Sequence, residues 1–143
     1  MILKIKKLSN DAVIPKYQSS GAAAFDLHIV GDCVVDAGKR MLVHTGLAVE
    51  IPVGYCLLLS PRSGLAASYG ITIVNSPAII DSDYRGEIMV ILHNCSESRY
   101  IVPTGDRIAQ ARLCRAEYGD IVEVSTLSDT ERGKGGLGST GRD

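Results

Sequence analysis

The sequence predicts an all-β domain, arranged as a sandwich, a jelly roll or a barrel. The chain contains 14 isoleucines and 12 valines, β-branched residues that suit a pleated, half-buried surface. Its apolar runs are short, and 15 glycines and 5 prolines interrupt them. Many short strands separated by turn residues are typical of these folds. With 143 residues, the chain has the length of one ordinary domain.

The predicted elements follow from where the apolar runs begin and end. Leu3 and Ile5 alternate with lysines and open the chain as a strand with one solvated face. Turn signals such as Gly31-Asp32 separate the later runs. Ser63–Tyr69 is predicted as a short helix. The later runs predicted as strands are Ala24–Ile29, Met41–Ile51, Tyr55–Ser60, Ile71–Val74, Ile88–His93, Tyr100–Val102, Arg107–Cys114 and Ile121–Val124.

Composition and charge exclude several function classes. The net charge of -1 provides no global basic field, so we expect no nucleic-acid partner. No run approaches the ~18 consecutive apolar residues of a membrane span, so we expect no membrane partner. The first ten residues lack the apolar core of a secretory signal, and we expect a cytoplasmic protein. The cysteines at 33, 56, 95 and 114 form no Cys-x-x-Cys pair, so they predict reduced core thiols rather than zinc ligands.

The C-terminal residues differ in composition from the rest of the chain. Ser128–Asp143 contains five glycines and only one large apolar residue, Leu137. Such a segment buries too little surface to order itself, so we predict a domain over residues 1–127 and a flexible arm over residues 128–143. The arm is either a solvated tail or a segment that orders over a ligand. Its glycines would let backbone N–H groups approach an anion, and Arg132, Ser139 and Thr140 would add donors.

The segment Ile79–Glu87 has apolar flanks and a polar centre, which predicts a tight hairpin. In extended backbone, Asp81 and Asp83 would point to the same side. Adjacent carboxylates suit a general base or a metal site. The alternative is a turn whose aspartates bond to their own backbone.

Three shorter segments carry further candidates. Arg62 and Ser63 stand where the predicted helix begins, which suits an anion, although an ordinary Ser N-cap beside a solvated arginine is the alternative. Gly105–Gln110 enters a strand, and its alternative is a salt-bridged turn. Asp26 is a lone acidic residue in an apolar strand, where an aspartate is usually hydrogen-bonded structure.

Together, and in this order, these segments resemble the trimeric dUTPase family. The resemblance covers nearly the whole chain in five blocks: Ala24–Leu27, Pro61–Ala66, Ile80–Gly86, Gly105–Gln110 and Arg132–Gly141.

The resemblance implies a fold, an assembly and a reaction. The fold is a distorted β jelly roll, and the assembly is a homotrimer whose three active sites lie at subunit contacts. The reaction splits dUTP into dUMP and pyrophosphate, with Mg²⁺ holding the phosphates. This reaction limits uracil incorporation into DNA and supplies dUMP for thymidylate synthesis.

The resemblance also implies roles for residues around the substrate. Asp81 matches the general base, and Gln110 matches a residue that holds phosphate and the attacking water. Tyr84 matches the ring that packs under the deoxyribose and leaves no room for a 2′-hydroxyl. Asn75 and the backbone of Ile79–Ile80 match the hairpin that recognises the edge of uracil.

The phosphates and the metal have matching residues as well. Arg62, Ser63 and Gly64 match phosphate ligands of a neighbouring chain, and Asp26 matches an acidic residue that supports Mg²⁺ through water. The arm residues that match the closing segment over base and γ-phosphate are Arg132, Leu137, Gly138, Ser139 and Thr140.

Two positions depart from the family pattern. Leu137 stands where the arm usually carries an aromatic residue, and Ala78 stands where the uracil hairpin usually has glycine. We expect altered affinity, because stacking on the base is worth about 1 kcal/mol. Two rival functions remain on this fold: a dCTP deaminase, and a non-enzymatic interaction protein on a dUTPase scaffold.

Overall fold

The computed structural model describes residues 1–136. Within them, the structure contains ten strands and one helix. They are β1 (Lys4–Lys7), β2 (Phe25–His28), β3 (Cys33–Val35), β4 (Arg40–Glu50), β5 (Tyr55–Ser60), α1 (Ser63–Tyr69), β6 (Ile71–Ile73), β7 (Ala78–Ile80), β8 (Glu87–Asn94), β9 (Tyr100–Val102) and β10 (Arg107–Arg115).

The strands form two four-stranded antiparallel sheets and a two-stranded one. One large sheet has the order β1-β4-β8-β6, the other has the order β2-β10-β5-β7, and β3 pairs with β9. Each large sheet combines strands that are distant in sequence, as in a jelly roll. The predicted all-β jelly-roll fold is therefore confirmed.

A single apolar core holds the two large sheets together. Along β8, Ile88, Val90 and Leu92 are almost fully buried, because alternate side chains of a strand point to the same face. Leu57 and Leu59 of β5, in the other large sheet, belong to the same buried cluster. The other face of the sheet with the order β2-β10-β5-β7 does not contribute to this core, so polar side chains can occupy it.

Glycine at position 46 is required where β4 bulges against β8. The register of β4 with β8 shifts between His44 and Ala48. Gly46 has a φ of 64°, and a Cβ there would lie 2.9 Å from the Cβ of Ala12. Its N–H donates to Oε1 of Glu87 at 2.7 Å, which ties the bulge to the start of β8.

Most predicted elements are confirmed, including the helix over Ser63–Tyr69. The sequence does not predict β3 and β7, which have only three residues each. The strand predicted at Ile121–Val124 is wrong, because these residues are exposed and have no neighbouring strand to pair with within residues 1–136. The tight hairpin predicted at Ile79–Glu87 is also wrong. There β7 pairs with β5 while β8 pairs with β4 and β6, so the segment crosses between sheets.

The expectation that all four cysteines are core thiols is wrong for three of them. All four thiols are free, three of them are half-buried, and Cys95 is exposed. Cys33 packs against the core from β3, whereas Cys56 and Cys114 point to the outer face of their sheet and Cys95 follows the end of β8. Separately, within residues 1–136 the helical segment is too short to cross a membrane.

Candidate active site

Asp26 is a buried carboxylate between two arginines. It is 4% exposed on β2. Its Oδ1 accepts a hydrogen bond from Nε of Arg62 at 3.2 Å, and its Oδ2 accepts one from Nη1 of Arg107 at 3.0 Å. Nη1 of Arg62 also donates to the carbonyl of Arg107 at 3.0 Å. Because a buried charge is costly without partners, this triad fixes both guanidinium groups in place.

Local backbone geometry brings Arg107 to Asp26. The turn before β10 contains Gly105 with a φ of 85°, and its N–H donates to the carbonyl of Ile29 at 2.8 Å. Immediately afterwards, the pairing of β10 with β2 shifts register between Arg107 and Ala109. Such a bulge redirects a side chain, and Arg107 here pairs with Asp26 across the sheet instead of with a residue of its own turn.

Gln110 lies in the same row of the sheet. On β10 it is directly opposite Asp26 of β2 and Ser60 of β5. Because β5 ends at Ser60, Arg62 follows at the same end of the strand. The sheet thus assembles Asp26, Arg62 and Gln110 at one end.

The start of α1 differs from both expected arrangements. Arg62 is the N-cap, with extended φ and ψ of -86° and 127°, and no side chain caps the helix. Ser63 is therefore the first helical residue and not the cap, and Arg62 is paired with Asp26 and not solvated. The N–H groups of Ser63 and Gly64 have no partner within the helix, as in every helix start. Both residues are exposed.

The turn after β7 holds Tyr84 in a fixed position. The N–H of Tyr84 donates to the carbonyl of Asp81 at 3.2 Å, which closes the turn. The Tyr84 hydroxyl donates to the carbonyl of Glu87 at 2.9 Å. A Cβ at Gly86 would clash with the tyrosine ring, so glycine is needed there for close approach. Asp81 and Asp83 are part of this turn and do not form the extended pair considered above.

A cavity of about 260 Å³ opens beside this turn. It contains four of the predicted substrate residues, Asn75, Ile80, Asp81 and Tyr84, together with Ala78. Its volume is close to the lower end of the range for small-molecule sites. Polar and apolar groups both line it, which suits a flat ring with polar edges. The remaining lining residues are Leu42, Ile79, Glu87, Met89 and Ile91.

The two groups of candidate residues lie at opposite ends of β5. Ile80 of β7 is directly opposite Leu57, so Asp81 lies near Cys56 at the start of β5. Arg62 follows Ser60 at the other end. Cys56 and Ser60 are four residues apart, about 13 Å along an extended strand. Within one chain, the fold therefore does not bring Asp81 and Arg62 together.

Glu87 is linked to the bulge of β4. Its Oε2 is 2.9 Å from Nδ1 of His44, and its Oε1 accepts the Gly46 N–H. Burial acts to raise the pKa of Glu87, but the hydrogen bonds from His44 and Gly46 outweigh it and lower the pKa. Glu87 is therefore a carboxylate at the rim of the cavity.

His28 lies next to the arginine pair. Its Nδ1 is buried and has no hydrogen-bond partner within the described residues. Burial lowers the pKa of His28, and so do the charges of Arg107 and Arg62, whereas Asp26 opposes the shift. The sequence alone indicates no role for His28, Glu87 or Arg107, because only the register of the sheets reveals their neighbours.

Among the residues that the structure describes, few side chains could act as ligands of a metal ion. Within residues 1–136, no group of three or more His, Cys, Asp or Glu side chains is arranged to hold one. Both oxygens of Asp26 already accept arginine hydrogen bonds. The remaining lone pairs fit a contact through water, and Mg²⁺ is commonly held by few carboxylates together with substrate phosphates.

The predicted arm is described only in part. Residues 116–136 contain neither helix nor strand. Arg132 is exposed, and its Nε donates to the carbonyl of Gly135 at 2.9 Å. The other predicted arm residues, Leu137, Gly138, Ser139 and Thr140, lie outside the described residues.

Comparison with known proteins gives consistent results. A dUTPase family profile matches residues 10–141. A deoxyuridine 5'-triphosphate nucleotidohydrolase of Nautilia profundicola is 53% identical over 142 residues, covering 99% of this chain and 100% of that protein.

Two solved structures have the same fold. The dUTPase of Staphylococcus bacteriophage 80alpha with dUPNHPP has a TM-score of 0.91 at 26% identity, covering 98% of both chains. A mutant dUTPase from phage phi11 of S. aureus, described as coordinating a structural Mg(II) ion, has a TM-score of 0.83 at 21% identity and covers 90% of this chain and 100% of that one. With its family profile, its full-length relative and its jelly roll, the chain belongs to the dUTPase family.

Proposed function

We propose that this chain hydrolyses dUTP to dUMP and pyrophosphate in active sites shared between the subunits of a homotrimer. The observation that carries the proposal is the cavity beside the turn of residues 81–86. There the carboxylate of Asp81 and the fixed ring of Tyr84 border a space of about 260 Å³ that also contains Asn75. This combination offers a base, a sugar-sized wall and polar groups for a nucleobase edge.

Asp81 acts as the general base. Its carboxylate takes a proton from a water molecule, whose oxygen attacks the α-phosphorus of dUTP. The bond from that phosphorus to the bridging oxygen breaks, and pyrophosphate leaves. Phosphoryl transfer depends mainly on positioning and charge stabilisation, so one base and several cationic donors suffice.

Tyr84 and Asn75 select the nucleoside. The Tyr84 ring is held at its hydroxyl end, because the hydroxyl donates to the carbonyl of Glu87 and this end of the ring lies against Gly86. A rigid ring under the sugar leaves no room for a 2′-hydroxyl. Asn75 and the backbone at Ile80 recognise the uracil edge, in a cavity that Ala78 also lines.

A second subunit supplies the phosphate ligands. Arg62, Ser63 and Gly64 lie about 13 Å or more along β5 from the Asp81 end of their own chain, so they serve the cavity of a neighbour. Gln110 is directly opposite Ser60, at the end of β5 that Arg62 follows, and it holds phosphate and the attacking water. Asp26 acts as a positioning residue, since it anchors Arg62.

The surface after β10 favours an assembly. Large apolar side chains are exposed there in the isolated chain, and such a patch indicates a contact with another protein surface. A homotrimer would cover it and combine the two halves of the site. These side chains are Tyr118, Ile121, Val122, Val124 and Leu127, between 56% and 101% exposed.

Mg²⁺ is the cofactor in this proposal. When bound, it would neutralise charge on the triphosphate. Asp26 would support it only through water, because its two oxygens already bond to Arg62 and Arg107. The substrate phosphates would supply most of the direct ligands.

Residues 128–143 act as an arm that closes on the substrate, and residues 1–127 form the domain that carries the rest. Closure would exclude water and add charge stabilisation at the γ-phosphate. The arm residues with this role are Arg132, Leu137, Gly138, Ser139 and Thr140.

The proposal is tested by measuring pyrophosphate release with dUTP, UTP and dCTP, together with ammonia release from dCTP. We expect Mg²⁺-dependent pyrophosphate release from dUTP alone. Ammonia release from dCTP would identify a deaminase instead. A correctly folded protein with no turnover of any of the three would indicate an interaction protein on this scaffold.

A further inference from the structure

Cys56 and Cys114 lie directly opposite each other on neighbouring strands. They are Cα partners in the antiparallel pairing of β5 with β10. Among residues 1–136, which include all four cysteines, no other two cysteines are paired in this way. Cys33 is opposite Val102, and Cys95 follows the end of β8.

The type of strand pairing brings these two Cα atoms within bridging distance. The N–H of Ala116 donates to the carbonyl of Gly54 at 2.9 Å, which marks a hydrogen-bonded pair. Hydrogen-bonded pairs alternate along an antiparallel ladder, so Cys56 and Cys114, two residues further in, are also such a pair. Their Cα atoms are therefore about 5.5 Å apart, within the range that disulfides span.

Both sulfur atoms lie on the outer face of the sheet. Leu57 and Ala111 point into the core, so Cys56 and Cys114 point to the other side, where both are half-buried. Nε of Arg112 donates to Sγ of Cys114 at 3.2 Å. The sulfur of Cys114 therefore has a cationic neighbour on its own strand.

The cysteine pair adjoins the proposed catalytic base. Leu57 is opposite Ile80, so the next residues outward along the two strands are Cys56 and Asp81. Burial raises the pKa of the Cys56 thiol, and the charges of Cys114 and Asp81 add to the increase. Cys56 therefore keeps its proton more readily than a free thiol. Cys114 of β10 and Cys56 of β5 are directly opposite each other, and Asp81 follows the end of β7 beside Cys56.

We propose that Cys56 and Cys114 are a redox modification site, which low-molecular-weight disulfides oxidise reversibly to a cross-strand disulfide. The Cys114 thiolate attacks one sulfur of the reagent and releases one thiol. The Cys56 thiolate then attacks the Cys114 sulfur of the mixed disulfide and releases the second thiol. The two cysteines lose two electrons and two protons, which the two released thiols carry away.

Thiol chemistry tests the site without reference to catalysis. The full-length reduced protein is incubated with excess oxidised glutathione, alkylated, digested and analysed by mass spectrometry. We expect the four free thiols to fall to two, with a peptide that links Cys56 to Cys114 and that dithiothreitol separates. Cys95→Ser should give the same linked peptide, and Cys114→Ser should give none. Stable glutathione adducts on wild-type Cys114 without the link, or a link between other cysteines, would overturn the proposal.

The consequence for turnover rests on the proposed function and has its own readout. A disulfide bond at Cys56 would constrain β5 beside Asp81 and shift this base from its position. Oxidation should therefore lower kcat for dUTP by about tenfold. Reduction should restore kcat, and oxidant should leave kcat of Cys114→Ser unchanged. A linked peptide with unchanged kcat would overturn the coupling to Asp81, whereas absence of dUTP turnover in the reduced protein would overturn the proposed function and leave the disulfide result standing.

Discussion

Asp81 and Asp83 are two exposed carboxylates of one turn, and only Asp81 lines the cavity. Their different positions follow from the turn itself, because the bond from the Tyr84 N–H to the Asp81 carbonyl bends the chain between them. The two side chains are chemically identical but differ in position. Asp83 is therefore a matched control for testing Asp81 as the base.

Asp81→Asn should lower kcat by at least about 100-fold, with little change in the affinity for a non-hydrolysable dUTP analogue. The amide keeps the shape of the side chain but cannot take a proton from water. Steady-state kinetics and analogue titration measure the two effects separately. Asp83→Asn is the control and should keep kcat near that of the wild type. Equal losses in both variants would contradict the assignment of the base.

His28 should make stability depend on pH. Its pKa is lowered from 6.5 in the folded protein, mainly by burial, so the unfolded chain binds this proton more readily. The stability that neutral His28 contributes is complete above pH 6.5 and is lost as the pH falls through the lower folded-state pKa. Asp26, Arg62, Arg107 and Asp106 are the charged groups that act on it.

His28→Gln should therefore reduce the loss of unfolding free energy between about pH 7.5 and about pH 5.5. Urea denaturation at both pH values measures the difference. His93→Gln, in the other large sheet, serves as the control. A pH dependence that is the same in His28→Gln and wild type would show that His28 does not cause it.

At the scale of elements, the turn between β7 and β8 links a sheet crossing to substrate selection. The chain leaves one sheet at Ile80 and enters the other at Glu87, and Tyr84 bonds back to that entry. Because both flanking strands are held in separate sheets, the turn has little freedom. A rigid wall of this kind is what rejection of one hydroxyl group requires.

Tyr84→Ala should narrow the preference for dUTP over UTP, measured as the ratio of kcat/KM values. Removing the ring opens the space that a 2′-hydroxyl would occupy. Tyr84→Phe is the matched comparison, because it keeps the ring and loses only the bond to Glu87. We expect its ratio to lie between those of the wild type and Tyr84→Ala, because the ring remains but is no longer held by that bond. If Tyr84→Ala leaves the ratio unchanged, the sugar is recognised elsewhere.

The segment after β10 provides a test of the proposed arm. Deleting the residues after Glu131 should leave the fold and assembly intact but lower kcat by at least about 100-fold, since charge stabilisation and exclusion of water are lost. Leu137→Phe should instead strengthen analogue binding about fivefold through stacking. Circular dichroism, sedimentation and kinetics check these effects. Full activity in the truncated enzyme would remove the arm from the mechanism.

At the scale of the whole molecule, the separation of Asp81 from Arg62 is the decisive feature. Asp81 lies near the start of β5 and Arg62 follows its end, so the length of this strand keeps the two residues about 13 Å apart. Only a second copy can bring Arg62 to the cavity of the first. The exposed apolar segment over residues 118–127 is consistent with such a contact.

Mixing Asp81→Asn subunits with Arg62→Ala subunits in equal amounts should restore about a quarter of wild-type activity, because a quarter of random neighbour contacts combine both intact residues. Each variant alone should be nearly inactive. Native mass spectrometry confirms that subunits have exchanged. Absence of recovery in exchanged trimers would show that the sites are not shared.

The sequence by itself determined the fold class, the helix and most strands. Short runs of β-branched residues between turn residues are a local pattern. They predict strands in any β-fold that buries one face of each strand. The five blocks also identified the family, and one of them contains three residues that line the cavity, Ile80, Asp81 and Tyr84. Asp81 and Tyr84 could be identified in this way because they lie in one contiguous turn.

Tertiary structure alone decided which distant residues meet. The pairing of Arg107 with Asp26, the burial of His28 and the opposition of Cys56 and Cys114 depend on register and bulges, which involve strands far apart in sequence. The wrong strand at Ile121–Val124 has the same cause, since apolar alternation specifies a strand only where another strand can satisfy its backbone. Hydrogen-bond partners across a sheet are set by the whole fold, and no local pattern encodes them.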